Sequence, residues 1–471
     1  MKYYVLVFIA FISFQDAISQ TDGSITYNLQ ECIDFALQNN LDLKSAELRT
    51  KTADVNLRQS RNALLPNING TYDIGKANGR SIDPFTNSYI DEQLTFSSAR
   101  VQMNATISNG FRLINRWKQQ NLNLKASEMA KEEARQNLIL DVTLAYLQVM
   151  NNRDLLALSE NRLENTSRQM GRLETLFNEE VGNPSEYRDF QGLYANDESS
   201  LITARNNYSD AKLNLKQLMN IDQDFEVENI LIPVEFDEYK TSAEEIYQLA
   251  LQNLATVKSS EYSLEAANKG VAVARSLYVP EFSIFANLNT NYSSSARFFT
   301  EGSSIIETTD GFVTIDGNNV PVLTNRTQFI QKEISYKDQF DNNLNSVAGL
   351  SVSIPLFNGF RAKNNVQLEK IKKEEAKVDL DRTKLDLRTS INQAYNDLLT
   401  AYERFNVLQK QVEAYEESLR INEIRFNNGA SNSIDYIISK NNLDNSMINL
   451  NNVKYEIVLR EKVLEYYKGN I

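Results

Sequence analysis

The tetrapeptide NGFR stands at Asn109–Arg112 and again at Asn358–Arg361, 249 residues further on. The surroundings keep that spacing. Tyr146 of LAYLQV answers Tyr395 of QAYNDL, and Phe177 of LFNEEVG answers Phe426 of RFNNGAS. Past those points the offset is expected to slip by two or three residues, as short loops allow. Upstream, another block repeats at an offset of 214: ALQNN at Ala36–Asn40 with ALQNL at Ala250–Leu254, Glu47 with Glu261, Arg61 with Arg275, and Pro66 with Pro280. A single 35-residue insertion between Pro280 and Asn358 reconciles the two offsets. Self-similarity on this scale decides the architecture before any local motif does.

Each copy runs in one order: helix, proline, variable segment, NGFR, very long helix, glycine turn, helix. The first repeat is assigned to residues 20–222 and the second to 241–471, joined at 223–240 by QDFEVENILIPVEFDEY (Gln223–Tyr239), which alternates like a strand. From Gly110 to Phe177 the only breaker is Gly171. Leu138, Val142, Ala145 and Val149 recur at helical seam spacing, and Ile391, Tyr395, Leu398, Tyr402 and Phe405 repeat the stripe. Such a helix of about 68 residues reaches roughly 100 Å. Leu140, Leu144 and Leu147 add a second apolar edge, so each long helix is expected to have neighbours on two sides.

The segments between proline and NGFR alternate instead. Ile68, Tyr72 and Ile74 share one parity, as do Val101, Met103, Ala105 and Ile107; Phe282, Ile284, Ala286 and Leu288; and Leu350, Val352, Ile354 and Leu356. Their neighbours are Ser, Thr, Asn and Gln. Two strands per copy, within about 67–108 and 280–357, each reach the ~9–11 residues of a membrane strand. Four strands cannot close a barrel, and lipid tolerates no open edge. The chain must then oligomerise to span. Asn109, Gly110 and Phe111, with Asn358, Gly359 and Phe360, mark the strand-to-helix junctions: the glycine permits the change of direction, and the Phe suits the interface. The bland alternative is a soluble sheet capping a helical bundle.

Composition narrows the function. Sixteen glycines and seven prolines in 471 residues make about 5%, where about 12% is usual. There is no histidine, which removes imidazole chemistry and His-ligated metals. The net charge of -13 repels phosphate backbones and argues against a nucleic-acid partner. Cys32 is the only cysteine. Residues 1–19 read as an export signal: Lys2, an apolar run from Tyr3 to Phe14, then Ala17-Ile18-Ser19. No phosphate loop, nucleophile elbow or metal cluster is present in the sequence, so no enzyme and no cofactor are expected.

With both repeats, PLFNGF at Pro355–Phe360, the strand starts at Pro66 and Pro280, and the C-terminal REKVLEYYKG on the page, the chain resembles the TolC-like outer-membrane efflux proteins over about Tyr27–Gly469. The resemblance implies a homotrimer whose four strands per chain close a 12-stranded outer-membrane β-barrel, continued by a periplasmic α-helical barrel. The fold class is thus mainly α with a membrane β part. The connector would belong to an equatorial belt. The function implied is a passive exit duct of a tripartite efflux or type I secretion system. Its partners would be a periplasmic adaptor (membrane fusion protein), an inner-membrane transporter and outer-membrane lipid. A soluble periplasmic coiled-coil scaffold or adaptor is the competing reading.

The resemblance also implies sites. In the family the helix pairs turn at the periplasmic end, where acids ring the pore. Gly429 and Asp435 of NGASNSIDYI match that spacing, while Ile438 stands where a second acid often follows. In the first copy Glu179, Glu180, Glu186 and Asp189 surround a turn with an unusual Pro184. The constriction is assigned to Asp435, Glu186 and Asp189, against the alternative that these acids start helices. The adaptor-docking tips are assigned to Val181, Gly182, Asn428, Gly429 and Ala430, each also readable as a helix C-cap. The insertion at about Ser293–Asn345 is expected outside the cell. Within it Val313, Ile315, Val320 and Val322 flank Asp316-Gly317 as a small hairpin, with disorder the alternative.

Overall fold

A computed structural model describes residues 25–82, 87–91, 93–233, 236 and 239–470. The expected export signal at 1–19, and four residues of the connector, lie outside the described residues. In chain order the elements are β1 (Ile25–Tyr27), α1 (Leu29–Asn39), α2 (Leu41–Asn62), β2 (Asn67–Ala77), β3 (Arg80–Ile82), β4 (Tyr89–Asp91), β5 (Leu94–Ser108), α3 (Arg112–Asn178), α4 (Pro184–Met219) and β6 (Phe225–Val227). The second half continues with α5 (Ala243–Asn253), α6 (Ala255–Arg275), β7 (Glu281–Ser293), β8 (Arg297–Ile315), β9 (Asn318–Glu333), α7 (Tyr336–Asn342), β10 (Asn345–Ser353), α8 (Arg361–Asn427) and α9 (Ser433–Lys468). Contacts divide the chain into two units, one of Met1–Arg49, Glu128–Ser259 and Asp381–Ile471, the other of Thr50–Ser127 and Ser260–Leu380.

The repeat is more regular than the sequence suggests. Both α3 and α8 have 67 residues, and both α4 and α9 have 36. The offset of 249 therefore holds from Arg112 and Arg361 through to the left-handed C-caps Asn220 and Gly469. The slip expected beyond Phe177 does not occur. Helices packed side by side must present their seams at matching heights, so a change in length at the turn would misalign every later layer. The other offset also holds. Asn28 and Glu31 form a capping box at α1, and Ser242 and Glu245, each 214 residues on, form one at α5.

In the first unit the two copies bury equivalent positions. One cluster packs Cys32 and Ala36 of α1 against Val142, Ala145, Tyr146 and Val149 of α3, closed by Met219, Phe225 and Val227. The other packs Ile246 and Ala250 of α5 against Ile391, Ala394 and Leu398 of α8. Of the seam residues read from sequence, Leu138, Val142, Ala145 and Val149 are buried, as are Ile391, Leu398 and Phe405, while Tyr395 and Tyr402 are half-buried beside the buried Ala394 and Ala401. β1 and β6 pair in parallel, so the connector opens as a strand of three residues.

The second unit holds an antiparallel sheet in the order β10-β7-β5-β2. Its register brings the alternating residues together: Leu350 stands opposite Ile284, which stands opposite Ala105, and Ala348, Ala286, Met103 and Ile68 form the next row. Since side chains alternate across a strand, one face is apolar. The opposite face carries Ser351, Ser283, Asn287, Gln102, Asn104 and Asn69. The outer edges of β2 and β10 have no strand partner among the described residues. No helix among the described residues is long and apolar enough to cross a membrane.

The insertion is larger in structure than a small hairpin. β8 and β9 form a two-stranded ribbon from Arg297↔Glu333 to Ile315↔Asn318, turning at Asp316 and Gly317, both with positive φ. Asp310-Gly311 is no turn; it lies inside β8 at an irregularity between Thr308 and Phe312. The end of the insertion is packed helix. Gln339 of α7 is buried, its Oε1 accepting from Ser293 N at 2.9 Å and its Nε2 donating to Ser293 O at 3.0 Å. Tyr336 stacks on Phe340 and lies against Tyr292.

Candidate functional site

The junctions belong to the second unit. Gly110 and Phe111 have φ of 64° and 61°, and Gly359 and Phe360 have 62° and 60°, so each corner holds two successive left-handed residues. A non-glycine residue in that region is strained, and its recurrence at both copies marks a built corner. The asparagine starts the helix: Asn109 Oδ1 accepts from Leu113 N at 3.3 Å, and Asn358 Oδ1 from Ala362 N at 3.5 Å. Phe111 and Phe360 are both exposed. Gly110 is also required for space, since a Cβ there would meet Val279 at 2.6 Å. Arg112 pairs with Glu281 at 3.0 Å beside a cavity of about 380 Å³ that Asn358 and Arg361 also line.

The turns belong to the first unit. α3 closes with Glu180 left-handed (φ 60°) and with Val181 N and Gly182 N both donating to Leu176 O, at 3.1 and 3.0 Å. α8 closes with Gly429 (φ 70°) and with Ala430 N donating to Arg425 O at 2.8 Å. Both are left-handed C-caps, but Glu180 holds in α3 the position that Gly429 holds in α8, and Gly182 is not left-handed. Asn183 and Asn432 then cap α4 and α9, accepting from Ser185 N and Asp435 N at 3.1 Å each. Glu186 and Asp435 occupy the same position of their helices, 249 residues apart. Asp435 is exposed, and its Oδ2 accepts from Ser431 Oγ at 2.8 Å. Asp189 accepts from the buried Ser433 Oγ at 2.9 Å, which ties the start of α4 to the start of α9.

Behind the turns the two hairpins are joined. Phe190 stacks on Phe426 with ring centres 5.7 Å apart, and Tyr436 closes the group. Arg172 Nη2 donates to Asn427 O at 2.9 Å, and Gln169 Nε2 to Glu423 Oε1 at 3.2 Å. Further along lies an ionic cluster that the sequence reading missed. Asp197, fully buried on α4, accepts from Arg162 Nε and Thr166 Oγ1, each at 2.6 Å, and from Lys440 Nζ at 3.1 Å. Asp444 Oδ2 lies 2.8 Å from Lys440 Nζ and 3.1 Å from Arg162 Nε. Two acids and two bases thus bind α3, α4 and α9 with no net charge. A signal existed: Asp197 falls on the seam of Phe190, Leu193 and Leu201, where an acid needs a partner.

Comparison with known proteins supplies the rest. The sequence pattern described as "Outer membrane efflux protein" matches residues 32–220 and 246–470, one stretch in each repeat. The chain is 21% identical to the outer membrane protein TolC of Escherichia coli (strain K12) over 452 residues, covering 94% of this chain and 82% of that protein. Its fold matches the Campylobacter jejuni CmeC outer membrane channel with a TM-score of 0.74 at 19% identity, over 96% of this chain and 90% of the other. It matches the outer membrane protein VceC of Vibrio cholerae equally well, TM-score 0.74 at 15% identity, over 94% and 96%. With both repeats covered, the chain belongs to the outer membrane efflux protein family, the channels through which cargo leaves across the outer membrane.

Proposed function

We propose that the chain is the outer-membrane exit duct of a tripartite efflux or type I secretion system, active as a homotrimer that docks onto a periplasmic adaptor and an inner-membrane transporter. The observation that carries the reading is the four-stranded sheet, apolar on one face, polar on the other, and open at both edges. Its strands of 11, 15, 13 and 9 residues suit a bilayer. A soluble scaffold has no use for such a face, and lipid forbids such edges unless neighbouring copies pair them. Three copies give 12 strands, with the apolar face toward lipid and the Ser, Asn and Gln face lining a wet lumen.

In this reading the helices form the periplasmic tunnel, the connector at 223–240 belongs to its belt, and the β8–β9 ribbon stands outside the cell. The turns at Val181-Gly182 and Asn428-Gly429-Ala430 meet the adaptor, and Asp435, Glu186 and Asp189 set the charge of the entrance. No reaction is required of any residue: the duct supplies a path, and the pump supplies the energy. Native mass spectrometry of the detergent-extracted protein tests the reading. A trimer retained in carbonate-washed membranes is expected, whereas a stable folded monomer released by the wash would overturn it.

A further inference from the structure

The pairing of β5 with β7 is an interface between the two repeats, the second strand of one copy against the first strand of the other. In this sheet the offsets hold to the residue. Asn67 stands opposite Asn104 in the first repeat; moved by 214 and 249, the pair becomes Glu281 opposite Ser353, which is the pairing observed. We propose that β10 of one copy of the chain pairs with β2 of the next in the register that β5 and β7 prescribe when carried forward by the same offsets. Gln102 opposite Asn287 then becomes Ser351 opposite Asp73 of the neighbouring copy, and Leu350 stands opposite its Ile74. The inference rests on the trimeric reading above and adds to it a residue-level seam.

Two features left incomplete within the chain are completed by this register, and a third is brought together by it. The Cβ position of Gly110 is filled by Val279, but that of Gly359 has nothing within 4 Å. The counterpart of Val279 is Leu65, which is 65% exposed and would reach Gly359 from the neighbouring copy. Arg112 is paired with Glu281, while the equivalent Arg361 is exposed and has no side-chain partner among the described residues. Carried forward, it faces Asn67 of the neighbour, a neutral acceptor.

The third feature concerns two glycines. The ring of Phe96 lies over Gly75, and that of Phe285 over Gly349, each 2.8 Å from where a Cβ would be. Both pairs are directly opposite across their strands and lie on the polar face. The proposed register sets Gly349 against Gly75 of the neighbour, so that two ring-covered glycines meet at the seam with their rings side by side. Aromatic cover of a strand glycine is a recognised way to fix register. A shift of two residues would part them, setting Gly349 against Asp73 and Gly75 against Val347 in one direction, or Gly349 against Ala77 and Gly75 against Ser351 in the other.

Cysteine pairs in the full-length protein test the register. Ser351→Cys with Asp73→Cys is expected to give a reductant-sensitive covalent trimer holding most of the protein, because each chain would be bonded to the next around a closed ring. Gln102→Cys with Asn287→Cys is its equivalent inside one chain and should give an internal crosslink that leaves the monomer mass in SDS. Ser351→Cys with Thr71→Cys, and Ser353→Cys with Asp73→Cys, shift the register by two residues either way and should give little covalent trimer. Diagonal neighbours lie about 7–8 Å apart, beyond the ~3.5–4.5 Å between disulfide Cβ atoms. If native mass spectrometry finds a trimer but a displaced pair links better, or the Ser351/Asp73 pair fails while the internal pair forms, the register is wrong and the trimer stands. A monomeric wild-type protein would remove both.

Discussion

Lys440 Nζ lies 3.1 Å from Asp197 Oδ2, and both side chains are buried, one on α9 and the other on α4. Neither charge could stay in that interior alone. Asp197→Ala is expected to cost about 3–5 kcal/mol in chemical denaturation, because it leaves Arg162 and Lys440 with only Asp444 between them. Removing Lys440 as well, as Asp197→Ala with Lys440→Met, should recover most of the loss, since Arg162 and Asp444 still pair. Losses that simply add in the double mutant would show that the cluster is not coupled.

Asp435 is where the proposed entrance charge can be separated from a role at the start of α9. Asp435→Ala removes one negative charge per chain while Asn432 still caps α9 through its own side chain. Planar-bilayer recordings should show weaker cation preference and weaker block by multivalent cations, because charges in a constriction act more strongly than in bulk water. Stability should fall by only about 0.3–1 kcal/mol. Asn432→Ala provides the contrast, with a cost of about 1 kcal/mol and unchanged selectivity. Unchanged selectivity in Asp435→Ala would assign the residue to the helix and not to the pore.

Removal of the ribbon should depend on where the cut is made. Joining Phe298 to Lys332 through a short turn deletes most of β8 and β9, and leaves α7 on β7. Trimer yield should hold, since loop length costs only about 0.6 kcal/mol per doubling. Extending the deletion through Gln339 removes the Tyr336 stack and three hydrogen bonds to Ser293 and Ile334. That form should lose heat resistance in a trimer-dissociation assay. Equal stability of the two deletions would show that α7 is dispensable.

Cys32 is fully buried beneath Tyr146, and burial pushes its thiol up to about 12. At pH 8 about one thiol in 10⁴ is ionised. Iodoacetamide should leave the folded protein unmodified and label it at once in denaturant. The sign for stability follows from the same shift. The unfolded thiol ionises near 8.5 and the folded one near 12, so the fold loses about 1.4 kcal/mol per pH unit in that window as pH rises. Labelling of the folded protein at pH 8 would contradict the burial.

What could be read from the sequence was what recurs locally. The seams at Val142 and Ile391, the alternation around Ile284 and Val101, and the corners at Gly110 and Gly359 each follow from the period of a single element. The missing parts depend on what another element brings. Asp197 stands on the apolar seam of α4, which calls for a partner, but only the packing of α9 supplies Lys440 as that partner. The full ribbon was hidden because irregularities at Glu301–Ser304 and Thr308–Phe312 break the alternation of β8 where Thr and Ser dilute it. The offset was expected to slip because a turn taken alone may have any length; here the packed helices on both sides fix it.

The paired left-handed residues at Gly110-Phe111 and Gly359-Phe360 act as a phase coupling. A corner with fixed dihedral angles transmits the strand's orientation directly into the helix that follows. One residue added to β5 would turn its side chains half a revolution, while one added to α3 would rotate its seam by about 100°. No single insertion near the corner can satisfy both periods. Change in length is thereby driven to the far ends of the strands, which is where the 35 residues that distinguish the two repeats are found.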